Sequence, residues 1–330
     1  MKFGKLPLGQ AAGGILAHSV RRDRTVFKKG QHLGPAELAA LAEAGVAEVT
    51  VAQLDAADVA EDEAARRVAG AVKSQGVVEG AAGTGRVNLF ASHPGLLSFR
   101  PAAIDALNAV TEDVTLATFP LLAPVETGRM VATVKIIPFA VPETVLSRCI
   151  AAGGDAAISV HPYRPLTARL IQTVTAELKP SVMAKTSAVT ADRMARLGGR
   201  IAGETRCPHD VDRLAADIAA ALKAGCDLLL IIGASAIVDR RDVIPAAIAA
   251  SGGRIERLGM PVDPGNLILI GDIGGVPVLG LPGCARSPAR NGLDWVLERI
   301  AAGFPVTHGD VARMGVGGLL IGQEEEKDYL

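Results

Sequence analysis

The chain has 330 residues, 49% of them hydrophobic and 21% charged, which is room for one large domain or two to three smaller ones and the make-up of a compact, ordered protein. A net charge of −1 and a pI near 6.6 exclude a general nucleic-acid or membrane-surface binder, and 3% aromatics exclude a stacking platform for single strands. Four scattered cysteines (Cys149, Cys207, Cys226, Cys284) without CxxC spacing argue against a zinc site or a disulfide framework and suit a reducing cytoplasm.

The opening MKFGKLPLGQAAGGILAHSV lacks the apolar core of a signal peptide, and no apolar run approaches the roughly 20 residues of a membrane span. Gly34-Pro35 starts a predicted helix, PAELAALAEAGV, with proline at its first position and Gly45 as its stop. AEVTVA follows as an alternating strand. Asp58 is expected to open the next helix, DVAEDEAARRVAGAVKSQG, with Glu61, Asp62 and Glu63 at the positive end of its dipole. After a glycine-rich break come a strand, RVNLFA, and a helix, PAAIDALNAVT. VATVKIIPFAV from Val131 reads as one buried strand, PETVLSRCIAAGG as a short helix, and AISVHPYRPL as strand and turn. A boundary within residues 140–168 divides an N-terminal mixed α/β region, set at 1–150, from a domain over 151–322 and an acidic tail over 323–330.

From Ala168 strands and helices alternate regularly. RLIQTVTA is a strand, TADRMARLGGRI a helix, PHDVDRLAADIAAALKAG an amphipathic helix, and DLLLIIG a continuously apolar strand suited to a parallel sheet. DVIPAAIAASGG is a helix with Pro245 tolerated in its first turn. LILIGDIGGVPVLG reads as two strands about an Asp-x-Gly-Gly turn. SPARNGLDWVLERIAAG closes as a helix that carries the single tryptophan, Trp295. The pattern predicts an α/β fold, a three-layer, mostly parallel sheet preceded by a smaller mixed α/β region.

Chemistry is concentrated between Asp227 and Pro288. Gly233-Ala234-Ser235 follows an apolar strand directly, so its N–H groups and the Ser235 hydroxyl suit an anion; a plain tight turn is the alternative. Asp239 and Asp242 flank Arg240-Arg241. The two acids suit either Mg²⁺ beside a ligand phosphate or helix capping, and capping is the better reading of Asp242. The arginines suit a ligand phosphate or a solvated face. Asp263-Pro264-Gly265-Asn266 and Pro282-Gly283-Cys284-Ala285-Arg286-Ser287 are two further loops. Ser287 before Pro288 reads as the N-cap of the last helix, and Arg286 beside it suits an anion. Cys284 has no histidine nearby in sequence and reads as a small buried thiol. The six histidines show no metal-ligand spacing, and His209 reads as a neutral cap at a helix start.

These loops resemble the molybdopterin-binding domain of molybdenum cofactor biosynthesis proteins, especially molybdopterin molybdotransferases. Gly233, Ser235 and Asp239 or Asp242 match that family's first loop, Pro264-Gly265 its second, and Leu281-Pro282-Gly283 with Ser287 its third. The likeness is closer to a group of bacterial molybdopterin-binding proteins found alone or fused ahead of a nucleotidyltransferase domain. GASAIVDRRDVIPAAI, GMPVDPGN, PGCARSP, NGLDWVL and MGVGGLL carry it, together with GGILAHSV and KKGQHLGPAELAALAEAGVAEVTVA nearer the start. Three departures stand out. Asn266 replaces a loop lysine, Ala176 replaces the aspartate ahead of Glu177-Leu178, and Lys185-Thr186-Ser187 replace an Asp-x-Asn element.

The resemblance implies binding of molybdopterin or the molybdenum cofactor by residues 233–235, Arg240, 263–266, Pro282, Gly283, Arg286 and Ser287. Glu177 and Asp239 would be catalytic, and with Asp242 they would hold Mg²⁺ for molybdate insertion. The alternative is a non-catalytic carrier that serves a nucleotidyltransferase or a molybdoenzyme, and a weaker one is a nucleotide pyrophosphatase. A homo-oligomer is expected.

Overall fold

The computed structural model describes residues 1–22 and 25–320, so the acidic tail expected at 323–330 lies outside the described residues. The chain divides into two compact units, Met1–His161 and Pro162–Leu330. No helix among the described residues is long and apolar enough to cross a membrane.

In the first unit the strands Lys2–Pro7, Glu48–Gln53 and Ile15–Leu16 form an antiparallel sheet, with Glu48–Gln53 central. Its core joins Leu16, Leu33, Leu41, Val49 and Val51. Leu41 comes from the helix Pro35–Glu43, which starts at its proline as predicted; Gly45, at φ 73°, turns the chain out of it. A second antiparallel sheet orders Val114–Thr118, Met130–Ile136, Arg86–Ala91 and Val77–Glu79. Alternation along Arg86–Ala91 turns Val87, Leu89 and Ala91 inward, against Val68 and Val72 of the helix Glu61–Val72 and Leu146 of the helix Glu143–Gly153.

Two expectations are corrected here. Asp58 does not open the helix, because Asp58–Ala60 is a strand paired with Ala140–Pro142, and the helix starts at Glu61. The run from Val131 is likewise two strands in different sheets, Met130–Ile136 and Ala140–Pro142. Pro138 in the break between them has no N–H to give a ladder.

The second unit is built on a six-stranded sheet in the order Arg200–Pro208, Thr167–Val174, Leu228–Ile232, Val276–Leu281, Leu269–Ile273, Arg254–Leu258. The first four run parallel; Leu269–Ile273 is antiparallel to both of its neighbours. The strand Leu228–Ile232 is buried throughout, and parity divides its side chains. Leu228, Leu230 and Ile232 join a cluster with Met194, Leu293, Val296 and Leu297, whereas Leu229 and Ile231 join one with Leu214, Ile218, Ile244 and Ile248. At roughly 1.5–3 kcal/mol per fully buried aliphatic side chain, this one strand is a large part of what holds its helices.

The helix predicted at TADRMARLGGRI spans Pro180–Arg196, about ten residues earlier, and Gly198 at φ 71° leads out of it. Arg200–Pro208 and Arg254–Leu258 are edge strands that the sequence reading omits, because their charged and small residues hide any apolar alternation. The predicted hairpin is present: Leu269–Ile273 and Val276–Leu281 pair about Gly274 and Gly275, both at positive φ. The last long helix starts at Gly292 rather than Ser287. Asn291 accepts from Leu293 N–H at 3.0 Å, and Asp294 accepts from Asn291 N–H at 2.8 Å, a reciprocal cap that fixes the start. The short helix His308–Ala312 follows it.

Glu298, in the helix Gly292–Ala301, is buried beside Arg290, 2.7 Å away, and burial pushes its carboxyl up to about 7. The folded state therefore holds this proton more tightly than the unfolded chain, whose carboxyl titrates near 4.5. Stability from this group is complete below 4.5 and is lost as pH rises through 7, with a slope of at most about 1.4 kcal/mol per pH unit. Denaturant unfolding followed by Trp295 fluorescence should show that decline between pH 4.5 and 7, and Glu298→Gln should flatten it.

Candidate functional site

Consecutive strands leave Thr167–Val174 in opposite directions: Arg200–Pro208 lies on one side of it and Leu228–Ile232 on the other. Such a reversal opens a crevice at the carboxyl ends of the two diverging strands. The loops that follow Val174, Ile232 and Leu281 all leave this edge, and they contain Glu177, Gly233-Ala234-Ser235 with Asp239–Asp242, and Pro282–Ser287. Residues 263–266, between Arg254–Leu258 and Leu269–Ile273, reach the same edge.

Close backbone packing fixes these loops. A Cβ on Gly233 would lie 2.5 Å from the Ser235 carbonyl oxygen, so the turn after Ile232 admits only glycine. Further on, Ile237 is buried, and its Cδ1 would stand 2.7 Å from a Cβ on Gly280, which ties the loop back to the sheet. Gly265, at φ 137°, approaches Gly292 so nearly that a Cβ would be 2.8 Å from the Gly292 nitrogen, and Gly292 N–H donates to the Pro264 carbonyl at 2.8 Å. The 263–266 loop thereby rests on the start of the Gly292–Ala301 helix. Asp263 also pairs with residues 318–320, donating its N–H to the Gly318 carbonyl and accepting at its own carbonyl from Leu320 N–H.

The guanidinium of Arg286 links two of the loops. It donates to the Gly233 carbonyl at 2.8 Å and to Thr186 Oγ1 at 3.0 Å, and among the described residues it has no carboxylate within ion-pair reach. Burial lowers its pKa, the direction expected of a cation short of counter-charge. Behind it, Arg193 is almost fully buried. It donates to Asp294 Oδ1 at 2.9 Å and to the carbonyls of Ala285, Ser287 and Ala289 at 2.7, 2.7 and 3.0 Å. Those bonds keep 287–289 out of the following α-helix, which is the physical reason Ser287 is not its N-cap; Ser287 ends a short 3₁₀ turn, Gly283–Arg286.

Several predicted donors have partners within the chain. Ala234 N–H donates to Thr173 Oγ1 at 3.0 Å, and that hydroxyl lies 2.8 Å from His209 Nδ1. Asp210, not His209, caps the following helix by accepting from Arg213 N–H. Ser235 is exposed, its hydroxyl donating at 3.4 Å to the Ala236 carbonyl. Arg240, Asn266 and Gly283 are also exposed.

The acidic residues are engaged separately. Asp242 caps the Val243–Ala250 helix, as its position predicts. Asp239 accepts from the Arg241 guanidinium at 2.8 Å, which holds its carboxyl below the ordinary range. Glu177 lies exposed in the turn after Val174. Among the described residues no three of His, Cys, Asp and Glu form a group that could hold a metal ion, so Glu177, Asp239 and Asp242 do not make one together. Cys284 is half-buried and its thiol is pushed up by burial, in keeping with an inert role.

Sequence reasoning omitted Arg193 and Thr173. Arg193 falls on the same helical face as Val189, Thr190, Met194 and Leu197, and a charge on an otherwise inward face was the available signal. Replacing Arg193 by Ala leaves the buried Asp294 carboxylate without its cation and the Ala285 and Ser287 carbonyls without that donor. Denaturant titration read at Trp295 should show a loss of about 3–5 kcal/mol.

A family profile described as Domain of unknown function (DUF8806) matches residues 5–53. No curated protein matches the chain. Among solved structures, the chain is similar to the molybdopterin biosynthesis MoeA protein from Pyrococcus horikosii at 16% identity, covering 94% of this chain and 77% of that one, with a TM-score of 0.30. It is also similar to the protein CinA with unknown function from Thermoplasma acidophilum, at 17% identity over 37% of this chain and 90% of that one, with a TM-score of 0.27. A molybdenum cofactor biosynthesis protein from Pyrococcus furiosus is 13% identical, covering 92% of this chain and 66% of that one, with a TM-score of 0.25.

Proposed function

We propose that the Pro162–Leu330 unit, with its sheet as the middle of three layers, binds molybdopterin or the finished molybdenum cofactor and carries it in the cytoplasm. On this reading the binding domain expected over 151–322 falls on this unit from residue 162 onward, and the recipient is a nucleotidyltransferase or a molybdoenzyme. The observation that carries the proposal is Arg286, a half-buried guanidinium with no counter-ion among the described residues, set beside the Gly233 turn at the crevice edge. A cation so placed is costly until an anion joins it, and its remaining N–H groups suit the oxygens of a phosphate. The motifs GASAI, GMPVDPGN and PGCARSP, which bring these loops together, supply the identity of that anion as a pterin phosphate.

Carriage is favoured over molybdate insertion by the chain's own residues. Ala176 and Asn266 stand where an acid and a lysine would assist turnover, and the Asp239 carboxylate is occupied by Arg241. As arranged, Glu177, Asp239 and Asp242 do not fit Mg²⁺, and no catalytic step is assigned to a metal.

The deciding experiment supplies purified protein with adenylylated molybdopterin, Mg²⁺ and molybdate, and follows pterin binding, AMP release and metal insertion. Saturable binding without AMP release is expected. Turnover would make the protein an insertion enzyme, and absence of binding would reject both readings. Arg286→Ala should weaken binding roughly tenfold or more, the scale of a lost charge-assisted hydrogen bond. Ser235→Ala should also weaken it while leaving the unfolding midpoint in place; lowered stability with intact binding would make that turn purely structural.

A further inference from the structure

The first unit contains a cavity of about 620 Å³, a size suited to a small organic molecule. Its lining combines two chemistries. Phe3 and Ile137 are exposed apolar side chains, at 58% and 59%, and Phe139 lines the same cavity. Exposed large apolar side chains gathered on one concavity mark a place where something apolar is received. Three basic side chains, His18, Lys29 and Lys135, line it as well.

The bases are poorly neutralised. The Lys29 ammonium stands 5.6 Å from the centroid of the Phe139 ring, and among the described residues it has no carboxylate within ion-pair reach. Lys135 donates to the Thr84 carbonyl, and its nearest acid, Glu61, is 4.0 Å away. Among the described residues Glu61 is the only acidic side chain on the cavity wall, so one carboxylate faces both lysines. The backbone is strained here as well. Thr84, a β-branched residue, is held at φ 50° in the two-residue turn closed by Gly83 and Arg86, and its carbonyl meets Lys135 at the cavity.

We propose that this cavity binds a small organic anion, a phosphate or carboxylate on an aromatic or apolar body. The body lies against Phe3, Ile137 and Phe139, and the anionic group meets Lys29 and Lys135, with His18 as a third donor. The site is separate from the crevice in the second unit and does not depend on what that crevice binds.

The test titrates the full chain with 1-naphthyl phosphate and 1-naphthoate, using 1-naphthol and inorganic phosphate as the two half-ligands, by calorimetry. At least one naphthyl anion should bind saturably, with the half-ligands about tenfold or more weaker, and the stronger anion names the head group. Lys29→Ala and Ile137→Glu, both at exposed positions, should each weaken binding roughly tenfold, the scale of a lost charge-assisted contact. Lys29→Arg should restore it. Arg286→Ala should leave it unchanged, which separates this site from the crevice. Absence of saturable binding, equal binding of either half-ligand, or sensitivity to Arg286→Ala but not to Lys29→Ala would each overturn the proposal.

Discussion

The second unit depends on the burial of one guanidinium. Arg193 projects from the helix Pro180–Arg196 and ends all its hydrogen bonds inside the chain, on one carboxylate and three carbonyls. The carboxylate belongs to Asp294, which also accepts from Asn291 N–H and so fixes the start of the Gly292–Ala301 helix. The carbonyls belong to the segment that carries Arg286. A single side chain thus sets where one helix begins, keeps 287–289 out of it and presents a second arginine at the sheet edge. A buried charge is tolerable only when every donor is met, and here that requirement dictates the course of residues 285–294.

From that anchor the remaining loops are placed by near contact of backbones. Gly233 folds its turn against its own chain, Gly265 touches Gly292, and Gly280 makes room for Ile237. These approaches bring segments far apart in sequence to one crevice, and they need no polar chemistry of their own. The polar side chains at the crevice include Arg286 and the exposed residues Glu177, Ser235, Arg240, Asn266 and Ser287.

Much of this architecture was legible in the sequence. The apolar run DLLLII, the Gly274-Gly275 turn and the amphipathic helix after Asp210 each carry an unambiguous periodic or turn signal, and all occur as expected. The edge strands were hidden because RIAGETRCP and RIERL lack an inward apolar row. The start of the last long helix was misplaced because Ser287-Pro288 is a good local start signal. Asn291-Gly292 prevails through Asp294 and Arg193, one of them about a hundred residues distant. Glycine and proline spacing marked loops that leave one edge of the sheet. The occupation of Asp239 by Arg241, and of the Ala234 amide by Thr173, depends on side-chain geometry that spacing does not encode.

The two edge strands have a further consequence for how copies of the chain meet. Among the described residues neither outer strand of the six-stranded sheet has a further strand beside it, yet each carries charges of both signs bound to one another: Arg206 with Glu204 at 2.8 Å, and Arg254 with Glu256 at 3.4 Å. A second sheet docking there would have to dismantle those pairs and accommodate their bulk, which is how natural sheets keep from growing by accretion. The sheet is therefore finite by its own side chains, and continuation of the sheet from copy to copy is disfavoured as a mode of self-association.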